Sequence, residues 1–199
     1  MEIVFASGNI NKFNQIALIL DKFTIKTPKD FGIEGFEVEE NGQTLKENAY
    51  IKAKALYEEI SKPSFADDTG LFVEALSNRP GVHSHRYASE NPTYRDNRKK
   101  LLEEMYGRDN RKAYFETVIC YIDKNGDDHY FHGKLTGNIT KEELGDYDFG
   151  YDQIFLPDNE KRTLGQMTDE EINQISHRSR AINEFKKFLE DTYDTNTSN

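Results

Sequence analysis

Two adjacent aspartates, Asp67 and Asp68, interrupt the otherwise strand-like stretch S-F-A-D-D-T-G-L-F-V-E-A-L of residues 64–76. Two like charges about 4 Å apart repel each other by roughly 4 kcal/mol at an effective dielectric constant of 20, unless a cation or a donor compensates them. Mg²⁺ is a natural candidate because it takes hard oxygen ligands and keeps several waters. A solvent-facing turn at Thr69 and Gly70 is the alternative, and the stretch alone favours neither. Because neighbouring strand residues point to opposite faces, we expect one aspartate to face the site and the other to brace the loop.

The segment S-G-N-I-N-K, residues 7–12, lies where a predicted strand ends and a predicted helix begins. Free backbone N–H groups and the helix dipole attract phosphate at such a junction. Junctions of this kind are also common without any phosphate ligand, and the segment matches neither the Walker nor the Rossmann pattern. The candidate phosphate-binding residues are therefore Ser7, Gly8, Asn9, Ile10, Asn11 and Lys12.

A second polar group accompanies the helix that is predicted to begin after Thr44. Asn48 and Lys52 lie four residues apart on this helix, so one ligand could reach both of them. They could equally be an ordinary exposed pair. Glu39 and Glu40 precede the helix, and in isolation a solvated acidic loop explains them better than a ligand does.

Three segments further along the chain could contact a nucleotide. Arg86, in P-G-V-H-S-H-R-Y, is a candidate phosphate or partner contact. The two histidines suggest zinc, but a third ligand nearby is missing, which favours Arg86 as the functional residue of this segment. Aromatic side chains usually lie in the core, and a His-Arg pair usually lies at the surface. A stacking ring with several donors is nevertheless what a purine pocket needs. These features occur in D-F-G-Y-D, residues 148–152, and in I-S-H-R, residues 175–178.

The elements that must position these residues alternate between strands and helices. Strands are predicted at 2–6 and 24–27, as two strands around A-D-D-T-G, and at 113–123 and 129–135, where K-N-G-D-D forms a hairpin turn. Helices are predicted over 11–23, from Thr44 to before Pro63, over 91–106, and as one helix over 168–193. Because hairpins exclude an all-parallel sheet, the fold class is α/β with a mixed sheet.

The composition of the chain disfavours several classes of partner and location. The chain of 199 residues carries a net charge of −10, which disfavours nucleic acid and anionic membranes as partners. A lone cysteine, Cys120, fits a reducing compartment, and the sequence has neither an export signal nor a membrane span, so we expect a cytoplasmic protein. Its length predicts a single domain over 1–194 with a disordered tail over 195–199.

These motifs together resemble the inosine/xanthosine triphosphate pyrophosphatase family, which hydrolyses non-standard purine nucleoside triphosphates. The resemblance runs from Met1 to about Leu189. The motifs that carry it, all in the family's order, are S-G-N-I-N-K, E-N-G-Q-T-L-K-E-N-A-Y-I-K-A, A-D-D-T-G-L-F-V-E-A-L, P-G-V-H-S-H-R-Y, F-G-Y-D-Q-I-F and I-S-H-R. The resemblance implies an elongated, two-lobed fold with a twisted central sheet flanked by helices, a Mg²⁺ requirement, and a homodimer. It also implies hydrolysis of ITP, dITP or XTP to the monophosphate and pyrophosphate, which cleanses the nucleotide pool.

The resemblance also implies roles for individual residues. Ser7 to Lys12 form the phosphate loop, Asp68 is the essential aspartate, and Glu39 is the metal-binding glutamate. Asp68 would hold Mg²⁺ or deprotonate the attacking water. The implied nucleoside contacts are Thr69, Phe149, Gly150, Tyr151, Asp152, His177 and Arg178.

Four residues depart from the family pattern: Gln15 replaces a usual Glu, Ile172 a usual Lys, Gln153 a usual Pro and His85 a usual Ala. Gln15 removes one carboxylate near the metal, and Ile172 removes one ligand contact. Two rival hypotheses therefore accompany the main one. One is a pyrophosphatase for pyrimidine or modified-base nucleotides, and the other is a nucleotide-binding protein with little catalysis.

Overall fold

The computed structural model describes residues 1–193, apart from the side chain of Asn11. The predicted disordered tail, residues 195–199, lies outside the described residues, as does residue 194. The helices are α1 (Ile10–Ile19), α2 (Leu45–Ile60), α3 (Tyr94–Glu104), α4 (Asp169–Ile175) and α5 (His177–Tyr193). The strands are β1 (Glu2–Phe5), β2 (Thr24–Lys26), β3 (Ser64–Val73), β4 (Arg79–Gly81), β5 (Lys112–Ile122), β6 (Asp128–Ile139) and β7 (Phe155–Pro157).

The strands form a mixed sheet in the order β2-β1-β3-β5-β6-β7, with β4 paired to β3. Strand β1 pairs in parallel with both β2 and β3, whereas β3–β4 and β6–β7 are antiparallel. The K-N-G-D-D turn follows β5 and precedes β6, with Asp123 accepting the Gly126 N–H at 3.1 Å. The predicted α/β class with a mixed sheet is confirmed.

Two element predictions were wrong. The A-D-D-T-G segment lies within one continuous strand, β3, and not between two strands. Gly70 therefore does not form a turn. It lets the backbone of β4 approach β3 closely, because a Cβ at Gly70 would lie 2.6 Å from the carbonyl oxygen of Gly81. The long C-terminal helix is instead two helices, α4 and α5, separated by Ser176 in an extended conformation (φ −65°, ψ 154°).

The chain divides into two compact units. Unit 1 comprises residues 1–68, 117–133 and 178–199, of which those up to 193 are described. It contains two hydrophobic clusters. The first joins α1 and α5, including Phe185, to strand residues such as Phe5 and Phe65. The second joins the alanine face of α2 to strand residues such as Val4 and Cys120. The alanines permit close packing of α2, because small side chains let a helix approach the sheet.

Unit 2 comprises residues 69–116 and 134–177. Its core collects apolar residues from β3, α3, β5, β6, β7 and α4, with Phe115 and Phe155 in contact at 4.7 Å between ring centroids. Two of the four borders between the units fall between Asp68 and Thr69 and between His177 and Arg178. The prediction of a single domain over 1–194 stays a prediction. No helix within residues 1–193 combines the length and the apolar character that a membrane crossing requires.

Candidate active site

Asp67 is a buried anion in unit 1 that two cations share. Its side chain is 1% exposed, and its Oδ1 lies 3.0 Å from Lys12 Nζ. Its Oδ2 lies 3.5 Å from Nε of Arg178. Burial raises the pKa of Asp67, but Lys12, Arg178 and Lys52 lower it by more, so the carboxyl pKa falls well below its usual value. Asp67 is therefore a fixed negative charge, and it orients a lysine from α1 and an arginine from α5.

Asp68 points to the opposite face of β3 and has different partners. Its Oδ2 accepts a hydrogen bond from Asn48 Nδ2 at 3.2 Å, and its Oδ1 lies 3.2 Å from Lys52 Nζ. Burial raises the pKa of Asp68 to about 6; Lys52 opposes this shift, and the nearby Glu40 adds to it. A carboxylate with this pKa can exchange a proton near neutral pH. The two carboxylates have different hydrogen-bonding partners, and the assignment of one to the site and the other to the loop stays a prediction.

Helix α2 supplies both partners of Asp68. Asn48 and Lys52 are one helical turn apart, as the spacing predicted. The Asn48 Oδ1 also accepts the N–H of Gly42, which fixes the side-chain amide between the preceding loop and Asp68. Thr44 caps the helix because its Oγ1 accepts the N–H of Glu47 at 3.1 Å, which is one half of a capping box. The Glu47 carboxylate, however, accepts from the N–H of Gln43 at 2.6 Å.

Glu40 and Gln15 join the cluster although the sequence did not assign them a role. Glu40 Oε2 lies 2.9 Å from the same Lys52 ammonium that Asp68 contacts. Gln15, buried on α1, accepts a hydrogen bond from Arg178 Nη1 at 2.8 Å. The sequence carried a signal for Glu40, because it neighbours the predicted metal ligand Glu39. The carboxylate contact with Lys52 belongs to Glu40, although Glu39 and Glu40 are both exposed in this loop.

The S-G-N-I-N-K segment has the geometry of a helix N-terminus. Asn9 precedes α1 and its Oδ1 accepts the N–H of Lys12 at 3.2 Å, while Ser7 Oγ accepts the N–H of Asn9 at 3.1 Å. A Cβ added at Gly8 would meet no protein atom within 4 Å, so Gly8 faces open space. Ile10 is largely exposed, and the side chain of Asn11 lies outside the described part of the chain. The segment thus presents an open surface beside a lysine that Asp67 holds.

The candidate nucleoside residues of unit 2 centre on an aromatic loop, residues 148–152. Tyr151 is buried and donates its hydroxyl hydrogen to the carbonyl oxygen of Ser84 at 2.7 Å. Gly150 has φ +52°, a left-handed conformation that favours glycine. Asp152 is buried, and its N–H donates to the carbonyl oxygen of Phe149 at 3.0 Å, which closes a tight turn.

The other assigned residues of unit 2 are placed separately. His177, also buried, stacks on Phe115 with ring centroids 4.7 Å apart. Thr69 is half-buried directly after Asp68 on β3, and Arg86 is exposed in the loop after β4. Among the departures, Ile172 is buried in the core of unit 2, where an apolar side chain fits better than an unpaired lysine.

A family model for the Ham1 family matches residues 3–188 of the chain. The chain belongs to the Ham1 family. A relative in Thermoanaerobacter pseudethanolicus (strain ATCC 33223 / 39E), named dITP/XTP pyrophosphatase, is 42% identical over 193 residues, covering 95% of this chain and 96% of the relative. A Porphyromonas gingivalis (strain ATCC BAA-308 / W83) protein of the same name is 43% identical over 191 residues, covering 94% and 97%. The solved structure of the Staphylococcus aureus Ham1 protein is 38% identical, with a TM-score of 0.89 and coverage of 96% and 100%.

Membership of the Ham1 family confirms the resemblance that the motifs indicated. The matched region begins in β1 and ends in α5, so it contains every candidate residue of the site. In this Ham1 chain the charges of unit 1 occur as linked groups. Asp67 binds Lys12 and Arg178, while Asp68 and Glu40 share Lys52. Such an arrangement can hold a polyanion at the cations and a water molecule at a carboxylate.

Proposed function

We propose that this chain is a nucleoside triphosphate pyrophosphatase. It hydrolyses the non-standard purine nucleotides ITP, dITP and XTP to the monophosphate and pyrophosphate. The relatives in Thermoanaerobacter pseudethanolicus and Porphyromonas gingivalis are named dITP/XTP pyrophosphatases. The enzyme therefore belongs to the hydrolases that act on phosphorus-containing anhydrides.

The observation that carries this proposal is the division of labour between the two aspartates of β3. Asp67 neutralises and orients two cations, whereas Asp68 is oriented by an amide and an ammonium group from α2. The first arrangement suits phosphate binding, because ion-paired and oriented cations need no reorganisation when the anion arrives. The second suits a carboxylate that must accept a proton in a defined direction.

In the proposed mechanism, a water molecule attacks the α-phosphorus and the bond to the bridging oxygen of the β-phosphate breaks. Asp68 orients this water and accepts its proton. Lys12 stabilises the negative charge that grows on the departing pyrophosphate, and Asp67 keeps Lys12 in place. The phosphate loop over 7–12 and Lys52 bind the remaining phosphate charge.

The donor atoms of unit 1 fit a magnesium ion that arrives with the substrate. Within residues 1–193, no group of three or more His, Cys, Asp or Glu side chains forms a complete metal site. Mg²⁺ in nucleotide enzymes typically uses one or two carboxylates together with phosphate oxygens and waters. Asp68 and Glu40, which already face one ammonium group, would supply these carboxylates, with Glu39 the alternative in the same loop. When bound, Mg²⁺ would supply Lewis-acid stabilisation of the phosphate oxygens.

Base selection is assigned to residues of unit 2. Hypoxanthine and xanthine carry a 6-keto acceptor where adenine carries a 6-amino donor. A pocket that presents donors at this position leaves adenine with a donor facing a donor, which can give roughly 10⁴-fold discrimination. We assign the stacking and hydrogen-bonding roles to the aromatic loop over 148–152 and to His177, with Thr69 and Arg86 as additional contacts.

Pyrophosphate release from a nucleotide panel tests the proposal. The panel contains ITP, dITP, XTP, GTP, ATP, dUTP and dTTP, each with and without Mg²⁺. We expect Mg²⁺-dependent release from the first three nucleotides, and Asp68→Asn should abolish it. Glu58→Gln, which changes an exposed carboxylate on α2, is the matched control and should leave the rate unchanged.

Other outcomes point elsewhere. Preference for dUTP or dTTP would favour the pyrimidine hypothesis, and tight ITP binding without pyrophosphate release would favour a binding protein. A homodimer and a cytoplasmic location stay predictions of this proposal, and sedimentation of the purified protein tests the first.

A further inference from the structure

Arg98 is a buried arginine in unit 2 whose side chain is only 3% exposed. It lies on α3, outside every motif that indicated the function. Its Nε donates to Glu143 Oε1 at 2.6 Å, and its Nη1 donates to Asp148 Oδ1 at 2.7 Å and to the carbonyl oxygen of Gly150 at 2.9 Å. One guanidinium group thus contacts both ends of the segment 143–148, which leads into the aromatic loop. It also contacts the left-handed glycine of that loop, Gly150.

The same face of α3 makes a second contact with this loop. Tyr94, one helical turn before Arg98, packs edge-on against Phe149 with ring centroids 5.5 Å apart. Asn97, the residue directly before Arg98, donates to the carbonyl oxygen of His85 and accepts the N–H of Ala88, so it holds the loop that contains Arg86. Helix α3 therefore anchors both loops of unit 2 to which nucleoside or phosphate contacts are assigned.

The ion pairs of Arg98 contribute little to the stability of the fold, but they fix the position of the aromatic loop. Glu143 and Asp148 keep 32% and 62% of their side chains exposed, so they would stay hydrated without Arg98. Burying an arginine costs desolvation energy that such pairs often fail to recover. The planar guanidinium, however, presents donors in a fixed fork, which defines directions that a lysine cannot reproduce.

We propose that Arg98 is a positioning residue for the nucleoside. It fixes the backbone of residues 148–150 so that Phe149 to Asp152 meet the base in one geometry, and it thereby sets the preference for a 6-keto purine. The inference rests on the proposed function, because it takes the aromatic loop as the base-binding element. Arg98 itself touches no substrate; it acts through the loop.

The test compares steady-state hydrolysis of ITP and ATP by Arg98→Met and by wild-type enzyme. We expect the KM for ITP to rise about tenfold or more with a smaller change in kcat, because a small displacement of a positioning group can cost up to about a hundredfold in rate. We also expect the ratio of kcat/KM for ITP over ATP to fall about tenfold. Arg98→Lys should recover only part of this ratio, since it keeps the charge but loses the fork.

A matched pair on the loop itself keeps the test decisive if Arg98→Met does not fold. Asp148→Asn removes one partner of Arg98, whereas Asp146→Asn makes the same change at an exposed position two residues earlier. We expect a smaller ITP/ATP ratio for Asp148→Asn and a wild-type ratio for Asp146→Asn. If Arg98→Met folds and keeps the wild-type ITP/ATP ratio and KM, the inference is overturned. If Arg98→Met does not fold, a wild-type ratio and KM in Asp148→Asn overturn it instead.

Failure of the proposed function is a separate result. It would appear as wild-type enzyme that releases no pyrophosphate from any nucleotide. In that case the dissociation constants of ITP and ATP, measured by calorimetry, replace the kinetic ratio in the same comparison of variants.

Discussion

Removing the charge of Asp67 and removing the charge of Asp68 should have different effects on the stability of the fold. Asp67→Asn and Asp68→Asn are the same chemical change at adjacent residues, and both side chains are buried. Asp67 is ionised because cations surround it, whereas the environment of Asp68 favours its protonated form. In metal-free protein, we therefore expect Asp67→Asn to destabilise the fold and Asp68→Asn to leave it unchanged or to stabilise it.

The magnitude for Asp67 follows from its ion pairs. Removing one partner of a buried pair costs about 3–5 kcal/mol, since the remaining charge stays buried without compensation. The Lys12 side chain is 19% exposed, so water screens part of this loss. Arg178 is 6% exposed but keeps its hydrogen bond to Gln15. We therefore expect Asp67→Asn to lose about 3 kcal/mol of unfolding free energy.

The magnitude for Asp68 follows from its raised pKa. Its pKa is about 6 in the folded protein against an ordinary value of 3.8, so the folded state holds its proton more tightly than the unfolded chain does. Stability from this group is present below pH 3.8 and is lost as the pH rises to about 6. Above that pH the ionised form costs at most about 3 kcal/mol. A neutral asparagine removes part of this cost, so we expect a gain of about 0–2 kcal/mol.

Urea unfolding of both variants at about pH 7.5 in a chelator measures these differences, with circular dichroism as the signal. The chelator matters because a bound cation would compensate the charge of Asp68. The reasoning would be refuted if Asp67→Asn unfolded within about 0.5 kcal/mol of wild type. It would equally fail if Asp68→Asn proved the less stable of the two variants.

Two further predictions concern residues outside the charged cluster. Burial raises the pKa of the Cys120 thiol to about 12, so iodoacetamide should leave the folded protein unmodified at about pH 8 and alkylate it after unfolding; stoichiometric labelling of folded protein, seen by mass spectrometry, would contradict this. Gly70→Ala should lower the unfolding free energy by about 1–3 kcal/mol, because the added Cβ would lie 2.6 Å from the carbonyl oxygen of Gly81; a melting temperature equal to that of wild type would exclude this clash.

Much of the charged cluster could be predicted from local sequence rules. Helical spacing places Asn48 and Lys52 on one face of α2, and strand alternation separates Asp67 from Asp68. The contacts of Glu40 and Gln15 could not be predicted in this way. The contact of Glu40 depends on the path of the loop before α2, and the contact of Gln15 depends on the position of Arg178 in the folded chain. Arg98 had no signal at all, because an arginine in a highly charged helix resembles a surface residue until its burial is known.

The two errors in element assignment have tertiary causes. Thr69 and Gly70 resemble a turn, but β3 continues through them because Gly70 lies against the backbone of β4. The apolar periodicity around Ser176 resembles one helix, but it joins two faces with different cores. Ile175 packs in unit 2, whereas Ile182 is buried in unit 1. A periodic pattern records that a face is buried and not which core buries it.

The continuity of β3 is what makes the doubled aspartate chemically useful. In a turn, adjacent carboxylates can point the same way and compete for one cation, so both would titrate as a coupled pair. In an extended strand neighbouring side chains point to opposite faces, so each carboxylate meets different helices. Asp67 meets cations from α1 and α5, and Asp68 meets donors from α2. The strand therefore separates a permanent anion that holds cations from a carboxylate that can accept a proton.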